Sequence, residues 1–134
     1  MEEIKLKTAQ QQELIDITSQ VKEIIRKKGI KEGICLVYAA HASAAIVINE
    51  NYDPNICLDI IDALNKAIPL HNNYRHDKVD NNAAAHIKSA IIGPSETIPI
   101  SQGKLRLGHW QSIMLAEFDG PRKNRTVIVE AIKK

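Results

Sequence analysis

The chain has 134 residues, 44% hydrophobic and 25% charged, with a formal net charge of +2. That length predicts one domain, residues 1–134, able to bury a core of its own. The near balance of charge, with Lys and Arg in short groups such as Arg26-Lys27-Lys28, argues against nucleic acid as a partner. Only 4% of the residues are aromatic, too few for a base-stacking surface, so the core must rest on Ile, Val, Leu and Ala. No apolar run approaches the roughly 20 residues that cross a bilayer. The opening Met1-Glu2-Glu3-Ile4-Lys5 has no signal-peptide core, so a cytoplasmic protein with no membrane partner is expected.

In chain order, Glu2 to Thr8 alternates as an edge-type strand and Glu13 to Thr18 alternates again, which predicts two antiparallel strands. Thr18 or Ser19 can cap a helix whose Val21, Ile24 and Ile25 share a face and which Gly29 closes. Gly33 to Ala40 and Ser43 to Glu50 are nearly continuous apolar runs, read as strands buried on both faces, with His41 in the connection between them. Asp53-Pro54 is a helix start, and Cys57, Ile60, Ile61, Leu64 and Ile68 keep helical spacing until Pro69 stops it. Leu70 to Asp80 is polar and aperiodic, a loop. Asn82 or its neighbour then caps a third helix through Ile92, with a core face of Ala83, Ala84, Ile87, Ala90 and Ile91. The remainder reads as strands at Thr97 to Ser101, Lys104 to Leu107, Trp110 to Phe118 and Thr126 to Ile132, joined by turns at Gln102-Gly103 and Asp119-Gly120-Pro121. The sum is an α+β domain of about eight mostly antiparallel strands and three helices. Cys35 and Cys57 lack any C-x-x-C spacing and read as reduced core residues.

Four of the five histidines fall between His41 and His86. Histidine is the commonest metal ligand and exchanges protons near neutral pH. His41 at a strand junction, His76 in the polar loop and His86 on the flank of the third helix form a candidate three-nitrogen Zn²⁺ set, with a fourth position left for an exchangeable group. His71 and His109 read as surface or rim residues, and Asp77 as a group that orients a ligand histidine. Glu50 ends an otherwise apolar strand and Glu117 interrupts another, and a carboxylate so placed either pairs with a cation or works as an acid or base. Gly108-His109-Trp110-Gln111 reads as a hairpin with a packed indole. Nucleotide-fold, P-loop and serine-hydrolase motifs are absent.

His41-Ala42-Ser43-Ala44 with Asn49-Glu50-Asn51 and Asp53-Pro54, then Tyr74 to Asp77, Ala85 to Ser89, Gly93 to Ser95, Gly103 to Gln111 and Leu115-Ala116-Glu117, together resemble the YjbQ-type family of secondary thiamine-phosphate synthases, in order over essentially the whole chain. The resemblance implies a compact α+β fold, a homotrimer, and a histidine-lined site with zinc, or magnesium in its place. The implied activity joins a hydroxymethylpyrimidine diphosphate to a thiazole phosphate. His41, Glu50 and Glu117 are then the expected catalytic groups. Ser43, Asn49, Lys88 and Arg125 are the expected contacts to the phosphorylated substrate, the two basic side chains steadying the leaving diphosphate. Ala42 stands where the family usually has Thr, and Lys78-Val79 where it tends to be acidic and glycine-containing. A metal-dependent phospho-ester hydrolase and a non-catalytic trimeric metal or metabolite carrier are the alternatives.

Overall fold

Residues 1–134 are described by a computed structural model. Eight strands form: β1 (Glu2–Leu6), β2 (Glu13–Asp16), β3 (Gly33–Ala39), β4 (Ala44–Glu50), β5 (Ser95–Ser101), β6 (Lys104–Leu105), β7 (Gln111–Glu117) and β8 (Arg125–Lys133). Three helices accompany them, α1 (Thr18–Lys28), α2 (Asn55–Ala67) and α3 (Ala83–Ile92), with one 3₁₀ turn at Arg75–Lys78. This is the expected α+β class and element count. The strands make a five-stranded sheet in the order β1-β8-β3-β5-β6 and a three-stranded sheet in the order β2-β7-β4, every pairing antiparallel.

The two sheets face each other across the main core. Cys35, Val37 and Ala39 of β3, Ile46 of β4, Ile113 and Leu115 of β7, and Val127 and Val129 of β8 are all fully buried there, with Val21 and Ile25 of α1. Aliphatic side chains fill it, as the composition requires. A smaller cluster, Ala45, Ala85, Ala116 and Phe118, joins the other face of the three-stranded sheet to α3, with Leu64 of α2 at its border. The small sheet is therefore the middle layer and the helices α2 and α3 cover it.

Several expectations are corrected. β1 and β2 do not pair with each other: β1 pairs β8 and β2 pairs β7, because residues 7–12 carry the chain from one sheet to the other. β4 is covered on both sides, but β3 is not. Ile34 and Tyr38 point outward, 42% and 38% exposed, because no helix crosses the outer face of the five-stranded sheet. On that face Ile34 lies opposite Ile132. The inward face of α3 carries Ala85, Lys88 and Ser89, while Ala90 and Ile91 face out.

The helix ends follow local chemistry. Gly29 adopts φ +64° and donates to Ile25 and Arg26, closing α1. The Asp53 carboxylate accepts from the Asn55 N–H at 3.0 Å. Thr18 does not cap α1; its hydroxyl accepts from the Ile113 N–H at 2.8 Å and ties the helix to β7. Burial pushes the Cys35 thiol up to about 11, which keeps it protonated and fits a core role.

Candidate functional site

The turn between β3 and β4, His41-Ala42-Ser43, gathers groups from three other parts of the chain. His41 Nε2 accepts from the Thr126 N–H at 2.7 Å, at the start of β8. The Ala42 carbonyl accepts from His86 Nδ1 at 3.1 Å, from α3. Ser43 accepts through both its oxygens, the hydroxyl from Arg125 Nη2 at 3.0 Å and the carbonyl from the Phe118 N–H at 3.2 Å and from Arg125 Nη2 at 3.5 Å.

Each bond fixes a chemical state. Because His41 Nε2 is an acceptor, the ring is neutral with its proton on Nδ1, and burial together with the Arg125 guanidinium holds its pKa below the ordinary value. His86 donates through Nδ1, so in the neutral ring the lone pair is on Nε2. This is how a backbone carbonyl orients a ligand or a base. His76 stands edge to face against His86, ring centroids 5.0 Å apart. Both line a groove of about 380 Å³ with Tyr74, Arg75, Ala83 and Ile87, a volume at the small end of ligand sites. Asp77 caps α3 by accepting from the Ala83 N–H at 3.0 Å, which places the 3₁₀ turn against the helix start. Its other oxygen lies 3.8 Å from His71, not from His76.

Behind the turn, Glu117 and Arg125 form a two-pronged ion pair, with Arg125 Nε 3.1 and 3.0 Å from the two carboxylate oxygens. Glu117 is fully buried and Arg125 is 5% exposed. Thr8 donates to Glu117 at 2.7 Å and accepts from the Arg122 N–H at 2.8 Å. The strap that carries Thr8 closes only because residue 120 is glycine: a Cβ there would sit 2.0 Å from the Gln10 carbonyl oxygen.

The expected site residues therefore divide. The structure brings His41, Ser43, His86, Glu117 and Arg125 around one turn, and His76 beside His86. It does not bring His41, His76 and His86 to one point: no three His, Cys, Asp or Glu side chains converge as a metal set. His41 is turned onto the β8 backbone instead, so a single chain offers a cation two neighbouring histidines. Glu117 and Arg125 are spent on each other rather than open to substrate. Lys88 is fully buried, its ammonium donating to Gln12 Oε1 at 3.0 Å and to Asn65, with the Phe118 ring 5.9 Å away, so it does not line the groove. Burial holds it below the usual lysine range. Asn49 and Glu50 stand at the far end of β4, where the rise from Ala44 spans roughly 20 Å, and Asn49 Oδ1 accepts the Glu50 N–H at 2.7 Å. Sequence reasoning missed Arg75 as a groove-lining cation. Its place beside His76 in an aperiodic polar loop was the available signal.

Residues 2–134 match the family described as UPF0047 protein YjbQ-like. A UPF0047 protein of Archaeoglobus fulgidus is 44% identical, with 97% of this chain and 99% of that one aligned. The UPF0047 protein YugU of Bacillus subtilis is 40% identical over 89% of each. Among solved structures, a YbjQ-like protein from Sulfolobus solfataricus superposes with a TM-score of 0.97 at 41% identity, covering 99% of this chain and 96% of that one. A YjbQ/UPF0047 family protein from Clostridium acetobutylicum gives 0.94 at 43% identity, covering 98% and 100%. With this fold, and with likeness running almost end to end, the chain belongs to the YjbQ/UPF0047 family.

Proposed function

We propose that the protein is a cytoplasmic homotrimeric transferase, a secondary thiamine-phosphate synthase acting at the groove beside His76 and His86. In this reaction the thiazole nitrogen attacks the methylene carbon of the pyrimidine, a C–N bond forms, the C–O bond to diphosphate breaks, and diphosphate leaves with the electron pair. The protein's task is to hold two rings in line and steady the departing charge. The observation that carries the reading is the His76–His86 pair on a groove that also holds Arg75, an exposed guanidinium of the kind that grips phosphate oxygens in pairs. Tyr74 and Ile87 supply an apolar wall for a ring.

A divalent cation, zinc before magnesium, belongs to the same proposal. His76 and His86 give two nitrogens, and further donors have to come from another copy of the chain or from the substrate. Trimer formation is supported by the uncovered outer face of the five-stranded sheet, where Ile34, Tyr38 and Ile132 stand in water in one chain. Light scattering should return about three times the 14.9 kDa chain mass. The deciding experiment supplies purified protein with hydroxymethylpyrimidine diphosphate, thiazole phosphate and either Zn²⁺ or Mg²⁺, and measures thiamine phosphate. His86→Ala should slow its formation at least about tenfold, roughly 1.4 kcal/mol of transition-state stabilisation. Product that survives the substitution, or none from the wild-type trimer, refutes the reading.

A further inference from the structure

β4 and β7 run antiparallel, with Ala44 opposite Glu117 at the histidine end and Glu50 opposite Gln111 at the other. Beyond that second end, the loops at Asn51–Tyr52 and His109–Trp110 come together. The Trp110 indole meets Tyr52 edge to face at 5.3 Å, with planes 70° apart, and meets His109 at 4.7 Å and 81°. The two edge-to-face contacts on Trp110 make a corner. It opens on a cavity of about 450 Å³ that Asn51 and Ser112 also line.

This is costly placement for such residues. The chain has one Trp, one Phe and three Tyr, and two of those five stand here, Tyr52 81% and Trp110 54% exposed. The core does not need them, since aliphatic side chains fill it. Fixed aromatic walls facing open space are what a stacking site requires, because a flat ring can slide against one while its rim meets the other.

The charge around the corner selects the ligand. No lysine or arginine lines the cavity. Two carboxylates, Asp16 and Glu50, stand beside the residues that line it. Asp16 accepts from Asn51 Nδ2 at 3.0 Å, and although burial pushes its pKa upward, bonds from Thr18, Asn51 and Ser112 hold it below the usual range. Both Asp16 and Glu50 act on the neighbouring Cys57 thiol, raising it in addition to the effect of burial. The local field is negative, so it repels phosphates and carboxylates and favours a ring that is neutral or cationic. Asn51 Oδ1, which accepts only the weak Cys57 thiol donor at 3.2 Å, has a lone pair left for an amino or amide N–H at the ring's edge.

We propose that the Tyr52–Trp110–His109 corner is a second ligand site, taking a planar nitrogen-containing aromatic ring, neutral or positively charged, stacked on Trp110. It lies at the opposite end of β4 from the histidine groove and does not depend on the reaction proposed there. Because Trp110 is the only tryptophan, its fluorescence reports occupancy directly. Full-length protein is titrated with 1-methylnicotinamide, a planar cation, and in parallel with benzoate, a planar anion, by calorimetry and by fluorescence. The expected result is saturable binding of one cation per chain, with quenching that saturates at the same concentration, and benzoate at least about tenfold weaker. Tyr52→Ala, at a site too exposed to matter for folding, should weaken the cation at least about tenfold, a loss of roughly 1.4 kcal/mol. Quenching that rises linearly without saturation, equal binding of benzoate, or unchanged affinity in Tyr52→Ala overturns the proposal. No thiamine phosphate is measured, so failure here leaves the histidine-groove reading standing, and failure there leaves this one.

Discussion

Replacing Arg125 by Met tests how the turn at His41-Ala42-Ser43 is held. The methionine keeps most of the stem volume, but Glu117, fully buried, then retains only the Thr8 hydroxyl as a side-chain donor. At a charge separation of about 4 Å, the lost attraction is on the order of 4 kcal/mol at an effective dielectric of 20. Breaking a buried pair by removing one partner costs about 3–5 kcal/mol, because the other charge is left uncompensated. Against a total stability of roughly 5–15 kcal/mol, that should lower Tm by roughly 10–20 °C for a chain of this size. Urea unfolding at pH 7.5 reads the loss directly as the gap between wild type and Arg125→Met. Glu117→Gln combined with Arg125→Met removes both charges and should recover most of the stability, since an ion pair and a matched neutral pair are often nearly equivalent in a core. A loss of less than about 1 kcal/mol at pH 7.5, or a double variant as unstable as the two losses summed, refutes the argument.

His41 and Lys88 give two further tests. The folded pKa of His41 is depressed, so its contribution is present above the unfolded value near 6.5 and is lost as pH falls through the folded one. Urea midpoints between pH 7.5 and 5.5 should fall more for wild type than for His41→Asn, and parallel falls would show that the ring is not held neutral. Lys88 is also depressed, by burial, so the folded state sheds its proton first and stability rises with pH from the folded value toward 10.4. Relative to Lys88→Met, wild type should gain stability between pH 8 and 10. No relative gain would mean that Gln12 and Asn65 fully replace the water the ammonium lost.

What the amino-acid sequence makes legible follows the range of the physics involved. Gly29, Asp53-Pro54 and Pro69 act on their immediate neighbours, so the ends of α1 and α2 were legible within a residue or two. Strand existence was equally legible, because alternation is local. Strand partners were not. Nothing in Glu2 to Asp16 says that the two strands leave for different sheets, and the strap between them is met by Gly120, 109 residues after Gln11. The rotation of α3 was misread because apolar spacing favoured Ala90 and Ile91, whereas Gln12 and Asn65 converge to solvate Lys88 inside. At the site, residue types pointed to the right neighbourhood around His41 and His86. They could not show that His41 spends its lone pair on the Thr126 N–H, nor that Glu117 and Arg125 find each other.

The position of β8 bears on how the chain reaches this form at all. β8 is an interior strand, with β1 hydrogen-bonded along one side and β3 along the other. Until residues 125–133 are made and folded back, β1 has no partner, β3 has one open side, and Glu117 waits for its guanidinium. The helices and the β4–β7 pairing draw on nearer segments, but the larger sheet closes only between paired residues 119 to 127 positions apart. Before that closure the molecule should be a half-built sandwich with bare strand edges, the stage at which chaperone capture or mispairing with a neighbouring chain has its best opportunity.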